Sequence, residues 1–162
     1  MSEEKRYTLP HAQLEFAKTI FNSIWGLLEK SDRTPEEDRD ILLAAFASLY
    51  HWKRAGTAVH EQRGSWMVSR VYLTLEKGKD ALAWARRCFE ISDGHPFEME
   101  DFDLAYAQEA LARAYAQSGD QEKALKHWNR AAKLGERIED PEDKKIFIED
   151  FQSGSWYNLR IR

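Results

Sequence analysis

The stretch from Ala105 to Leu134, AYAQEALARAYAQSGDQEKALKHWNRAAKL, constrains the fold more than any other part of the chain. It divides at the turn signal Ser118-Gly119-Asp120 into two segments, each with an apolar stripe at helical spacing. Leu111, Ala112 and Tyr115 form the first stripe, and Ala124, Trp128, Ala131 and Leu134 the second. Two helices folded back on each other cover only part of such stripes, so further helices have to cover the rest. That is the condition of a helical repeat, and an interaction scaffold is the expected role.

These residues resemble the tetratricopeptide repeat, whose pattern runs Leu-Gly, then Tyr, then a turn, then Ala, Phe and usually Pro. Leu111 and Ala112 stand at the Leu-Gly positions and Tyr115 at the Tyr. Gly119-Asp120 stands at the turn, and Ala124, Trp128 and Ala131 at the second-helix positions. Gln108 replaces the family Trp, and no proline closes the second helix. The resemblance implies an all-α fold, a right-handed array of antiparallel helix pairs with about seven helices in all. It also implies a concave groove lined by the first helix of each pair.

The rest of the chain supplies the other helices. From about Leu9 to Lys30, Leu14, Ala17, Phe21, Ile24, Trp25 and Leu28 recur at three and four residues, which predicts an amphipathic helix after a polar, frayed start. Thr34-Pro35-Glu36-Glu37 reads as a cap, a first-turn proline and a capping-box glutamate, and starts a second helix that ends at Gly56. A third is expected from Thr57 to about Glu76 and a fourth from Asp80 to Ser92. Laying this pair on the opening one at a constant offset of 43 places Val68 on Leu111, Tyr72 on Tyr115, Ala81 on Ala124, Ala85 on Trp128 and Cys88 on Ala131. The turn glycine does not follow the offset, since Gly78 lies six residues after Tyr72 and Gly119 four after Tyr115. Glu98, Glu100, Asp101 and Asp103 gather before the fifth helix and read as N-terminal capping. Asp140-Pro141 starts a seventh, apolar at Ile146, Phe147, Ile148 and Phe151. The expected organisation is a single domain: a degenerate pair over 9–56, repeats over 57–92 and 100–138, and a capping helix with its tail over 141–162. The tail, Trp156 to Arg162, is too apolar to hang free and packs on its own domain or on a second subunit in a homodimer.

At 162 residues such a domain buries ~70% of the surface its unfolded chain exposes. A net charge of -4 argues against a nucleic-acid partner. The one cysteine, Cys88, reads as a small core residue. No signal-like or membrane-spanning run is present in the sequence, so a soluble, cytoplasmic protein without a membrane partner is expected.

Sites of chemistry are scarce. His60-Glu61 has Gly64, not a second histidine, one turn on, so the zinc-protease motif fails, and no metal or cofactor is expected. No phosphate loop or nucleophile elbow occurs. The groove face implied by the resemblance carries Arg63, Trp66, Arg70 and Thr74 on the third helix and Tyr106, Glu109, Arg113 and Gln117 on the fifth, with His51 and Tyr50 at its rim. Arg70 and Arg113 occupy equivalent positions, and two guanidinium forks side by side suit a carboxylate or phosphate. The expected partner is therefore a protein or peptide bearing an acidic group, bound without catalysis and without loss of fold when either arginine is removed. The competing expectation is an anionic small molecule, or an enzyme using Arg70, Arg113, Glu109 and His51.

Overall fold

The computed structural model describes residues 6–161, so the N-terminal expectation falls largely outside it, as does Arg162 of the tail. The described chain is all-α, with seven helices: α1 (Leu9–Glu29), α2 (Pro35–Ala55), α3 (Ala58–Thr74), α4 (Gly78–Gly94), α5 (Asp101–Gln117), α6 (Gln121–Glu136) and α7 (Pro141–Gln152). Local chemistry sets most of these boundaries. The Thr34 hydroxyl accepts from the Glu37 N–H at 3.2 Å while the Glu37 carboxylate accepts from the Thr34 N–H at 2.8 Å, so α2 starts on a reciprocal cap. Asp140 accepts from the N–H groups of Glu142 and Asp143 and starts α7 on a one-way cap. His60 closes a box at α3 by accepting the Thr57 N–H at 3.0 Å, and its ring stacks on Trp52. The histidine of the failed metal motif is thus a capping residue.

Each helix packs on the next, most extensively within the pairs α1–α2, α3–α4 and α5–α6. The odd-numbered helices also touch in sequence, α1 on α3, α3 on α5 and α5 on α7, so they form one face of the array. Three core clusters run through it. Ile24, Ile41, Ala45, Leu49, Met67 and Val68 join the first pair to α3. Leu73, Ala81, Ala85, Leu111 and Tyr115 join the middle pairs, and Ala105, Ala131, Ile138, Phe147 and Phe151 join α5 and α6 to α7. Gly64 lies at the α2–α3 crossing, where an added Cβ would stand 2.9 Å from the Leu49 side chain.

The 43-residue correspondence has a structural counterpart. Ala81, Cys88, Ala124 and Ala131 are all fully buried, and burial pushes the Cys88 thiol pKa up, which makes it an inert filler. Tyr72 packs on Phe46 of α2, and Tyr115 receives a hydrogen bond from Arg86 of α4, so each tyrosine meets the second helix of the preceding pair. Ala85 and Trp128 differ, the first buried and the second half-buried against Phe151 and Trp156.

One sequence irregularity disappears in three dimensions. The Lys77 N–H reaches back to the Tyr72 carbonyl at 2.9 Å, and the Asp120 N–H to the Tyr115 carbonyl at 3.0 Å, so both first helices end in the same closure. Gly119, with φ 89°, occupies the left-handed position in one turn, and Glu76, with φ 58°, occupies it in the other. Gly78 is not the turn residue expected. It begins α4 where an added Cβ would meet the α5 end, 3.0 Å from Ser118 Oγ and 3.2 Å from the Gln117 backbone. Glycine suits the left-handed region and glutamate does not, so Glu76→Gly is expected to stabilise the protein by ~0.5–1 kcal/mol in denaturant melts. A loss of stability would refute the equivalence of the turns.

Candidate functional site

Of the side chains singled out above on α3 and α5, Arg63, Trp66 and Tyr106 line one cavity, Arg70, Thr74 and Arg113 an adjoining one, and Glu109 and Gln117 neither. The first, of about 210 Å³, lies where α1, α3, α5 and α7 converge. Phe21 and Trp25 enter from α1, Arg63 and Trp66 from α3, Phe102, Asp103 and Tyr106 from α5, and Ile146 and Asp150 from α7. The rings pack on one another: Trp66 lies 5.9 Å from Trp25 and meets Tyr106 edge-on at 5.4 Å. Trp25 keeps 37% of its surface exposed and Ile146 49%, so the cavity has a mouth between α1 and α7.

Two polar contacts fix its walls. Arg63 donates from Nε and Nη2 to the two carboxylate oxygens of Asp103, at 2.8 and 2.9 Å, and its guanidinium lies over the Phe102 ring. That hydrogen-bonded pairing pushes the Arg63 pKa further up. Asp103 also accepts the Glu100 N–H at 3.1 Å and is 2% exposed, so it is a buried partner as well as the capping residue expected. The Tyr106 hydroxyl donates to Asp150 Oδ2 at 2.5 Å. Burial first, and then this hydrogen bond to a carboxylate, push the phenol up and keep it a donor.

The second cavity, of about 350 Å³, lies beyond Trp25 and Asp150, which line both. It holds Arg70, Thr74 and Arg113, with Glu29 of α1 and the segment Ser153–Ser155. Arg70 and Arg113 do meet at one carboxylate, but it belongs to the chain. Glu109, 1% exposed, accepts from Arg113 Nε and, at 3.3 Å, from Arg70 Nη1, with the Trp66 indole N–H 3.4 Å away. The other Arg113 donors end on backbone carbonyls. Nη1 reaches Ser155 at 2.9 Å, and Nη2 reaches Asp150 and Ser153 at 2.9 and 3.0 Å. Trp156 covers the guanidinium at 4.0 Å. Arg113 therefore caps the C-terminal carbonyls of α7 and holds the start of the tail.

These contacts correct the expectation of an anion-accepting arginine pair. Arg113 has no fork to offer a ligand, because its donors are spent inside the fold. His51 is also elsewhere: it pairs with Gln13 of α1, packs on Phe16 and lines neither cavity, and Tyr50 is exposed beside it. The set Arg70, Arg113, Glu109 and His51 is not assembled into one site. Thr74 bonds back to the Arg70 carbonyl. Gln117 donates to the Leu73 carbonyl at 3.0 Å and ties the end of α5 to α3. The tail packs on its own domain, with the Trp156 indole donating to the Phe151 carbonyl at 3.1 Å and Tyr157 and Leu159 against the middle core.

Sequence reasoning missed Phe21, Trp25, Phe102, Asp103, Ile146 and Asp150. Phe21 and Trp25 look in the sequence like part of an apolar stripe, and the 43-residue offset carried back from Arg63 and Trp66 lands on Ile20 and Ser23 instead. Asp150 had no signal, since one acidic residue on an amphipathic helix looks like solvated surface.

Among the described residues no group of three or more His, Cys, Asp or Glu side chains is arranged to hold a metal, and no helix is long and apolar enough to cross a membrane. The geometry defines an all-α protein with an aromatic cavity on the face shared by alternate helices. Comparison with known proteins found no matching family model and no curated protein or solved structure of significant similarity.

Proposed function

We propose that this chain is a protein-binding scaffold, in the manner of a tetratricopeptide-like array, which anchors a short segment of a partner in the aromatic cavity. The observation that carries the reading is the convergence of α1, α3, α5 and α7 on that cavity, with Trp25 and Ile146 left half-open at its mouth. Concave, mostly apolar sites with a few convergent polar groups are where proteins take up ligand groups. A cavity of about 210 Å³ with a half-exposed mouth suits one side chain of a peptide. The anionic-metabolite and enzyme readings lose support because Arg63 and Arg113 are answered by Asp103 and Glu109.

The test is steric and independent of ligand charge. A displayed library of random nine-residue peptides, selected on the intact protein, should yield binding segments. Ile146→Trp, a change at an exposed position that fills the mouth, is expected to weaken the selected peptides roughly tenfold or more while melting stays near wild type. Full affinity in that variant would place binding somewhere other than this cavity.

A further inference from the structure

The ion pairs around the aromatic cavity leave one carboxylate over. Its lining has two carboxylates, Asp103 and Asp150, and one cation, Arg63. Arg63 and Asp103 satisfy each other with two parallel hydrogen bonds. Asp150 makes no ion pair among the described residues; its carboxylate takes one hydrogen bond, from the Tyr106 hydroxyl. Arg113 meets the Asp150 backbone carbonyl and lines the second cavity with Arg70 and with Asp150 itself, Glu109 accepting from both arginines. A carboxylate with no ion-pair partner thus stands at the edge of a cavity walled by Trp25, Trp66 and Tyr106, where Arg70 already lies 6.0 Å over the Trp66 ring. Ring faces carry negative potential and attract cations, and a partly desolvated carboxylate does so more strongly. An anionic guest would meet like charge and the wrong face of the rings. Arg63, stacked on Phe102, shows the same preference realised within the chain.

We infer that the cavity takes a basic side chain, lysine or arginine, from the partner segment. Its alkyl stem lies among Trp25, Trp66 and Tyr106, and its cationic end lies on the free oxygen of Asp150. The guest is opposite in charge to the acidic group that the row of arginines on α3 and α5 first suggests. The inference rests on the peptide-binding reading and adds the identity of the anchoring residue.

Three small probes of similar shape, n-butylammonium, n-butanol and n-butyrate, isolate the charge. Titrated at millimolar concentration into the full chain, n-butylammonium should shift the indole N–H resonances of Trp25 and Trp66 saturably, with n-butanol weaker and n-butyrate without effect. Asp150→Asn keeps an acceptor for Tyr106 and removes the charge, so it should weaken n-butylammonium roughly tenfold, the scale of a lost charged hydrogen bond. Glu149→Gln, one residue away on the exposed side of α7, should behave as wild type. Equal shifts from n-butyrate, absent shifts from n-butylammonium, or an unchanged response in Asp150→Asn would each overturn the inference, and the first two need no variant to fold. The peptide library separates this outcome from the broader reading. Selected segments with a fixed Lys or Arg support both, and segments with a fixed acidic or apolar anchor overturn the basic guest alone. A library that yields no binder defeats the scaffold reading together with the inference.

Discussion

Replacing Arg113 by alanine is expected to destabilise the protein by ~3–5 kcal/mol, the range for removing one partner of a buried ion pair. Glu109 would keep only Arg70 at 3.3 Å and the weak Trp66 contact, at a position 1% exposed, where an unbalanced carboxylate is poorly solvated. The carbonyls of Ser153 and Ser155 would lose the Arg113 donors at the same time, that of Asp150 would keep only Ser153, and the anchor between α7 and α5 would go with them. Arg113→Lys should recover only a minor part, since one ammonium cannot reach the carboxylate and the separate carbonyls together. The neutral pair Glu109→Gln with Arg113→Met should lie nearer wild type than Arg113→Ala alone, because it leaves no buried charge without a partner. Chemical denaturation with a two-state fit decides the matter. A midpoint within error of wild type for Arg113→Ala would restore the reading of Arg113 as a ligand-facing residue.

Phe147→Ala should have an effect of similar size, ~3–5 kcal/mol, and lower the melting temperature by on the order of 10 °C. Phe147 is 1% exposed and joins three elements. Its ring meets Tyr106 of α5 edge-on at 4.9 Å, stacks on Phe151 at 5.4 Å, and lies where a Cβ on Gly135 of α6 would fall 2.3 Å from Phe147 Cε1. Such close approach leaves little room for neighbours to relax into the space a truncated side chain vacates, which places the change at the costly end of core deletions. Loosening α7 also removes Ile146 and Asp150 from the cavity, so peptide binding should fall with stability in this variant. Deleting residues 141–162 should go further and promote aggregation, because the apolar surface of α5 and α6 would be uncovered. A Phe147→Ala protein that melts with wild type would show that α7 is an appendage and not a closing helix.

Both results bear on how the charged residues of α3 and α5 were to be understood. Equivalent positions in a repeat predicted that Arg70 and Arg113 stand side by side, and they converge on one acid. What the pattern could not say was where that acid comes from. Glu109 looked like half of an ordinary surface pair one turn from Arg113, and the same spacing serves a solvated pair or a buried one. Burial depends on what lies above the helix, and here that is α7 and the tail, some forty residues further along the chain.

The helices were legible because their ends are made by neighbours in sequence. Thr34 with Glu37, Asp140 with Pro141 and Gly119 after Tyr115 act over one to five residues, and the apolar period shows which face each helix must hide. From these and the repeat offset followed seven helices, their pairing, the buried small residues at Ala81, Cys88, Ala124 and Ala131, and the docking of α7 through Phe147 and Phe151, whereas Ile146, expected to dock with them, is 49% exposed. The tertiary structure decided the rest. Arg63 finds Asp103, Trp66 finds Trp25 and Tyr106, and Arg113 finds the end of α7 only once crossing angles and azimuths are set by packing across the whole array. A local pattern specifies which way a side chain leaves its own helix. Whether it arrives at water, an aromatic wall or an opposite charge is a property of helices tens of residues away, and that difference turned an expected anion site into an internal lock and left Asp150 without an ion pair.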